Sequence, residues 1–199
     1  MAIIFDLGRV VVSWDPAGIV SAVRGSEGAA ALAERLFNHP DWLEVDRGTL
    51  SLHTMARRAE ERTGLSAADN LAILQAVPAS LLPDPAMVRL IEELHSAGHV
   101  LYALSNMGHA SIDWLEQHQD FWRFFSGKVV SARVRMMKPE SDIYRYLLVS
   151  FDLVPSDCLF IDDSPANVAA AEALGLRGLV FTDPARCRDH LVGQGLLPA

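Results

Sequence analysis

The sequence predicts an α/β protein, a doubly wound parallel sheet with a small all-helical insertion after its first strand. Three observations carry this. Short unbroken apolar runs recur without polar alternation, as strands covered on both faces require. Helical patterns separate them, which is the order of a parallel sheet wrapped by helices. From about Asp15 to Pro83 the helical patterns follow one another with no strand between them.

The strand candidates are Ala2 to Phe5, His99 to Leu104, Lys128 to Ser131, Cys158 to Ile161 and Arg177 to Phe181. Helix starts share one device, an Asp or Ser followed by Pro, at Asp15-Pro16, Asp84-Pro85, Ser164-Pro165 and Asp183-Pro184. The small polar side chain can accept from free backbone N–H groups, and Pro tolerates a first helical position whose N–H has no partner anyway. Gly98 and Gly175 end two of these helices, the first after the stripe Met87, Val88, Ile91, Leu94. Inside the insertion, helices are expected over Glu27 to Phe37, Leu52 to Arg62 and Ala67 to Val77, with Ser66 and Asp69 as a capping box. The expected division is therefore a core of residues 1–14 and 84–199 and a helical cap of residues 15–83.

Composition bounds the function. With 199 residues, half of them hydrophobic, the chain can bury a sizeable core. A net charge of −8, with 17 Lys and Arg scattered along the chain, argues against a nucleic-acid groove or an anionic membrane surface. The four or five apolar residues before Asp6 are too few for a signal-peptide core, so a cytoplasmic location is expected. Cys158 and Cys187 show no paired spacing, which leaves them as core residues rather than a disulfide or zinc site.

In an open parallel sheet the ligand crevice lies beyond the carboxyl ends of the strands. Polar residues gather at those ends: Asp6, then Ser105 and Asn106, then Asp162 and Asp163. An Asp at a strand end can simply cap the next turn, a Ser can cap a helix, and a lone Lys is usually solvated. Two adjacent acids near a third, however, repel one another unless a cation neutralises them. Mg²⁺, which takes hard oxygen ligands, suits such a set.

Four patterns stand in order, FDLGRVVV around Asp6, LYALSN ending at Asn106, MMKPE around Lys138, and LFIDDSPAN from Leu159 to Asn167. Together they resemble the haloacid dehalogenase-like hydrolases with a helical cap after the first motif, over essentially the whole chain. FDLG, in place of FDxDG, is similar to the glucose-1-phosphate phosphatase-like branch. The resemblance implies a phosphatase of a small phosphorylated metabolite such as a sugar phosphate, working through an aspartyl-phosphate. Asp6 is then the nucleophile. Ser105, Asn106 and Lys138 bind the phosphate, with Lys138 neutralising charge. Asp6, Asp163 and the Gly8 carbonyl hold Mg²⁺, supported by Asp162 and Asn167.

One departure matters. Most phosphatases of this kind carry a second Asp two positions after the nucleophile to protonate the leaving oxygen, and here that position is Gly8. The acid would have to come from water, the substrate or a cap side chain, and losing it costs about 10²–10⁴-fold. Two alternatives follow: a 2-haloacid dehalogenase forming an aspartyl ester without metal, since halide leaves unprotonated, or a non-catalytic relative that binds a phosphorylated ligand. Trp14 and, in the insertion, Trp42, Asp46 and Arg47 can line the substrate side of the pocket, although a helical Trp is more often core packing. Arg57, Arg58, Glu60, Glu61 and Arg62 read as a solvated face, and among the seven His only His109 is placed near the crevice.

Overall fold

The structure is a computed structural model and describes residues 1–198. Five parallel strands form one sheet in the order β3-β2-β1-β4-β5: β1 (Ala2–Phe5), β2 (Val100–Ser105), β3 (Phe125–Val130), β4 (Cys158–Asp162) and β5 (Arg177–Val180). Side chains alternate across the sheet with period two, and β1, β2, β3 and β4 thereby feed two cores. Ile3, Phe5, Leu101, Ala103, Leu159 and Ile161 face one layer; Ile4, Tyr102, Leu104, Cys158 and Phe160 face the other.

Between β1 and β2 run α1 (Pro16–Arg24), α2 (Ala29–Phe37), α3 (Pro40–Arg47), α4 (Leu52–Arg58), α5 (Glu60–Thr63), α6 (Ala67–Ser80) and α7 (Pro85–Ser96). The remaining helices are α8 (His109–His118), α9 (Ser131–Val134), α10 (Ser141–Ser150), α11 (Pro165–Glu172) and α12 (Pro184–Gly193). Apolar residues of α7, α8 and α12, such as Ile91, Ile112 and Leu191, fill the first layer, and Ile143, Leu147 and Ala171 of α10 and α11 fill the second. Helices α1 to α6 build a third core of their own around Ile19, Leu36, Met55, Ile73 and Leu74.

The two chain segments linking that helical layer to the sheet lie side by side. Ser13 N–H donates to the Leu82 carbonyl (2.8 Å), Ser13 Oγ donates to the Ser80 carbonyl (2.9 Å), and Asp84 N–H donates to the Val11 carbonyl (2.9 Å). Residues 15–83 thus leave and return to the sheet at one place.

Several expectations are corrected in detail. β3 starts at Phe125, earlier than predicted, because Ser126 and Gly127 interrupt its apolar run and a register shift there skips Ser126. β5 is half-buried rather than covered on both faces, as the edge of the sheet. The predicted helix Leu52 to Arg62 is two helices that break at Ala59. α3 was not foreseen; Pro40 opens it, and Asp41 N–H donates to His39 Nδ1 at 3.1 Å. Asp15, Asp84 and Asp183 cap as expected, but the Ser164 side chain does not; Asp162 Oδ1 accepts from Ser164 N–H instead. Ser66 and Asp69 do form the capping box. Among the described residues no helix is long and apolar enough to cross a membrane.

Candidate active site

Register assembles the site. Phe5 pairs with Ala103 on one side and Ile161 on the other, so Asp6 stands level with Asp162 at the carboxyl edge of the sheet and Ser105 lies one step further along β2. Asp6 N–H donates to the Ile161 carbonyl at 2.9 Å, extending the β1–β4 ladder by one step.

Lys138, in the turn before α10, enters this group with its side chain buried. Its Nζ lies 2.8 Å from Asp6 Oδ1 and 2.6 Å from Asp162 Oδ2. The turn is held by Asn106: its Oδ1 accepts from Lys138 N–H (2.8 Å) and its Nδ2 donates to the Lys138 carbonyl (2.9 Å). The Asn106 side chain thereby places Lys138. The second Nδ2 hydrogen and the backbone of Asn106, which borders the cavity, remain for a ligand.

Asp162 is fully engaged. Beyond Lys138, it accepts from Ser164 N–H (2.8 Å) and from Asn167 Nδ2 (3.0 and 3.1 Å). Asp163 is half-buried, and Arg9 Nη1 stands 3.8 Å from its Oδ2, on a side chain 59% exposed. Arg9 has φ +60°, in the left-handed region, which turns the loop after β1 back on itself so that Val10, Val11 and Val12 N–H all reach the Leu7 carbonyl. The sequence reading missed Arg9, because only this turn carries it to Asp163.

Asp6, Asp162 and Asp163 each bring one carboxylate oxygen within 4.8 Å of the others. Burial pushes the Asp6 carboxyl up to about 6, Lys138 opposing and Asp162 adding to the rise. Burial works against the charge of Lys138 too, but Asp6 and Asp162 outweigh it and raise its pKa. Burial, then the charge of Asp162, raises Asp163. Asp6 Oδ1 accepts from Leu7 N–H (2.7 Å) as well as meeting Lys138. Three carboxylates against the buried Lys138 ammonium and the exposed Arg9 guanidinium still leave negative charge uncompensated, and the unengaged oxygens belong to Asp6 and Asp163. This hard-oxygen set fits Mg²⁺. Ser105 Oγ is buried without a hydrogen-bond partner, an orphan that a phosphate oxygen would satisfy.

A cavity of about 310 Å³ opens over these groups, bordered by Gly8, Arg9 and Asp163 on the sheet side and by Trp14, Trp42, Asp46 and Val77 on the helical side. Trp14 and Trp42 stack at 5.6 Å, both edge-on to Phe37. Arg47 is turned away from the pocket to pair with Glu140. His109 borders a neighbouring apolar cavity instead, with Trp42, Leu74 and Val77. The charged run at residues 57–62 is not a purely solvated face, since Arg58 and Arg62 bind buried Asp41 at 3.1 and 2.9 Å.

The chain is similar to known proteins in sequence and in fold. The sesquiterpene phosphatase astK of Aspergillus oryzae is 29% identical over 195 residues, spanning 96% of each chain. An enzyme of the haloacid dehalogenase family from Bacteroides thetaiotaomicron, in complex with magnesium and inorganic phosphate, superimposes with a TM-score of 0.73 at 21% identity, over 91% of this chain and 93% of that one. The L-2-haloacid dehalogenase of Xanthobacter autotrophicus with chloropropionic acid covalently bound reaches 0.67 at 19% identity, over 99% and 84%. At such identities the two structures speak for the fold alone. The model of the haloacid dehalogenase-like hydrolases matches residues 2–175, and with the strand-end carboxylates and the buried lysine in place, the chain belongs to that family of hydrolases.

Proposed function

We propose that the protein is a Mg²⁺-dependent phosphatase whose substrate is the phosphate monoester of an alcohol with an apolar body. The observation that carries this reading is the carboxylate cluster of Asp6, Asp162 and Asp163, which holds more negative charge than Lys138 balances. Halide displacement needs no metal, and so gives that surplus no purpose. The fold by itself accommodates both chemistries.

Asp6 attacks phosphorus, and the P–O bond to the alcohol breaks as an aspartyl-phosphate forms. Asp6, Asp163 and the Gly8 carbonyl would hold the Mg²⁺, whose chemistry is to neutralise phosphate oxygens. Lys138 adds a fixed positive charge beside the attacking carboxylate, and the Ser105 hydroxyl donates to a phosphate oxygen. Residues 15–83 act as a cap that closes the cavity from above.

The sugar phosphate expected from the FDLG motif gives way to an apolar alcohol on two grounds. Trp14, Trp42, Val77, Leu81 and Met107 supply the apolar part of the cavity wall. A relative that matches over nearly the full length of both chains is a sesquiterpene phosphatase.

Phosphate release from dodecyl phosphate and from glucose 1-phosphate, with Mg²⁺ and with EDTA, tests the reading. Turnover should require Mg²⁺, favour dodecyl phosphate in kcat/KM, and fall at least about 10³-fold in Asp6→Asn. EDTA-insensitive halide release from 2-chloropropionate would replace the reading with dehalogenase chemistry, and preference for the sugar would overturn the substrate class.

A further inference from the structure

Gly8 leaves the loop after β1 without a side chain that can hand a proton to the leaving alcohol. Among the residues bordering the cavity, the carboxyl groups are Asp163 and Asp46. Asp163 belongs to the cluster beside Asp6. Asn106, Ser111 and Ser164 do not ionise near neutral pH. Asp46 comes from the opposite side, on the last turn of α3, and among the described residues no Lys, Arg or His lies within ion-pairing distance of it.

Its place is fixed by contacts on every side. Ser131 Oγ, which accepts from Met107 N–H at 2.9 Å, donates to the Asp46 backbone carbonyl. Arg47 forms a two-pronged pair with Glu140, at 2.9 and 2.5 Å. Gly48, at φ +77°, lies so close to Ala132 that an added Cβ would collide with its carbonyl. On the other side, a Cβ at Gly108 would stand 3.2 Å from Val45 Cγ1 and 3.8 Å from Asp46 Oδ1. Residues 45–48 are thus where the helical layer is latched to the loops after β2 and β3.

We propose that Asp46 is the general acid of the reaction, reaching the leaving oxygen from the cap in place of the side chain that Gly8 lacks. The proposal rests on the phosphatase reading of Asp6. As the bond from Asp6 to phosphorus forms, the P–O bond to the alcohol breaks with its electron pair on the alcohol oxygen. The Asp46 proton passes to that oxygen, and the alcohol leaves neutral. In the second step water attacks the aspartyl-phosphate and gives its proton to the Asp46 carboxylate; the P–O bond to Asp6 breaks, restoring the Asp6 carboxylate and releasing phosphate. The environment suits the first step. Desolvation raises the Asp46 carboxyl well above the usual carboxylate range, the Gly108 N–H opposing and the charge of Asp6 adding, a shift toward the protonated form that the first step uses.

The test compares Asp46→Asn with wild type on two leaving groups, in Mg²⁺. p-Nitrophenolate departs without a proton, whereas dodecanol needs one. The expected result is a fall of about 10²–10⁴-fold in kcat/KM on dodecyl phosphate, against less than about tenfold on p-nitrophenyl phosphate, because kcat/KM reports the step that forms the aspartyl-phosphate. The second-step role predicts a burst of about one nitrophenolate per enzyme before slow turnover in the variant. Equal losses on both esters would make Asp46 a structural residue and overturn the proposal, as would an undiminished rate on dodecyl phosphate. If wild type hydrolyses neither ester, the phosphatase reading itself falls and the proposal with it.

Discussion

Lys138 is the residue on which the site's electrostatics turn. It is buried between Asp6 and Asp162 and reaches both within 2.8 Å. Removing one partner of a buried charge set leaves the rest uncompensated, which costs about 3–5 kcal/mol. Lys138→Met, similar in length but uncharged, should lose stability on that scale in urea unfolding, together with phosphatase turnover. Asn106→Ala should act more mildly. It frees the Lys138 turn by removing two hydrogen bonds at 2.8 and 2.9 Å, so kcat should drop while KM for the phosphate ester moves little, as measured by steady-state kinetics. Residue type and position in a motif were enough to single out Asp6, Ser105, Lys138, Asp162, Asp163 and Asn167. What Asn106 does with its side chain was not legible, because its partner lies 32 residues away.

At the level of elements, α3 links the helical layer to the sheet. Gly48 at its end adopts a left-handed φ with the Ala132 backbone against it, so Gly48→Ala adds backbone strain to a collision. A loss of about 2–3 kcal/mol is expected in thermal or urea melts, with a larger drop on alkyl than on aryl phosphates if α3 carries the acid. The start of α3 makes a separate prediction. Burial works against the charge of Asp41, but hydrogen bonds from Arg58 and Arg62 and the charges of Arg62 and His39 outweigh it, so its pKa is lowered on folding. A lowered carboxyl contributes stability above its unfolded pKa of about 3.9, and that contribution disappears as pH falls through the folded value. Asp41→Asn should therefore cost about 1–2 kcal/mol near pH 7, and its melts should begin to approach those of wild type only below about pH 4, converging once pH has fallen past the folded value. Local spacing makes the Arg-rich run look like a solvated face because Asp41 is 17 and 21 residues from its partners, beyond the reach of helical spacing.

Across the whole molecule, the sheet supplies a rigid row of strand ends and the helical layer supplies the opposite wall. Ligands that bind only the folded chain stabilise it by mass action, about 2.7 kcal/mol at a hundredfold excess over Kd. For a chain of this size, Mg²⁺ with inorganic phosphate at that excess should raise Tm by roughly 5–10 °C, and EDTA should reverse it. By itself, the sequence determined the α/β class, the parallel strands and the acids at their ends. These follow from local apolar runs, chain direction and the rule that a crevice opens beyond the strand carboxyl termini. The tertiary structure decided which groups face one another. The turn at Arg9, the Asn106 clamp on Lys138 and the approach of Asp46 depend on how loops fold back and how α3 docks on residues some 85 positions away. Such contacts join residues from separate elements, and no local periodicity records them.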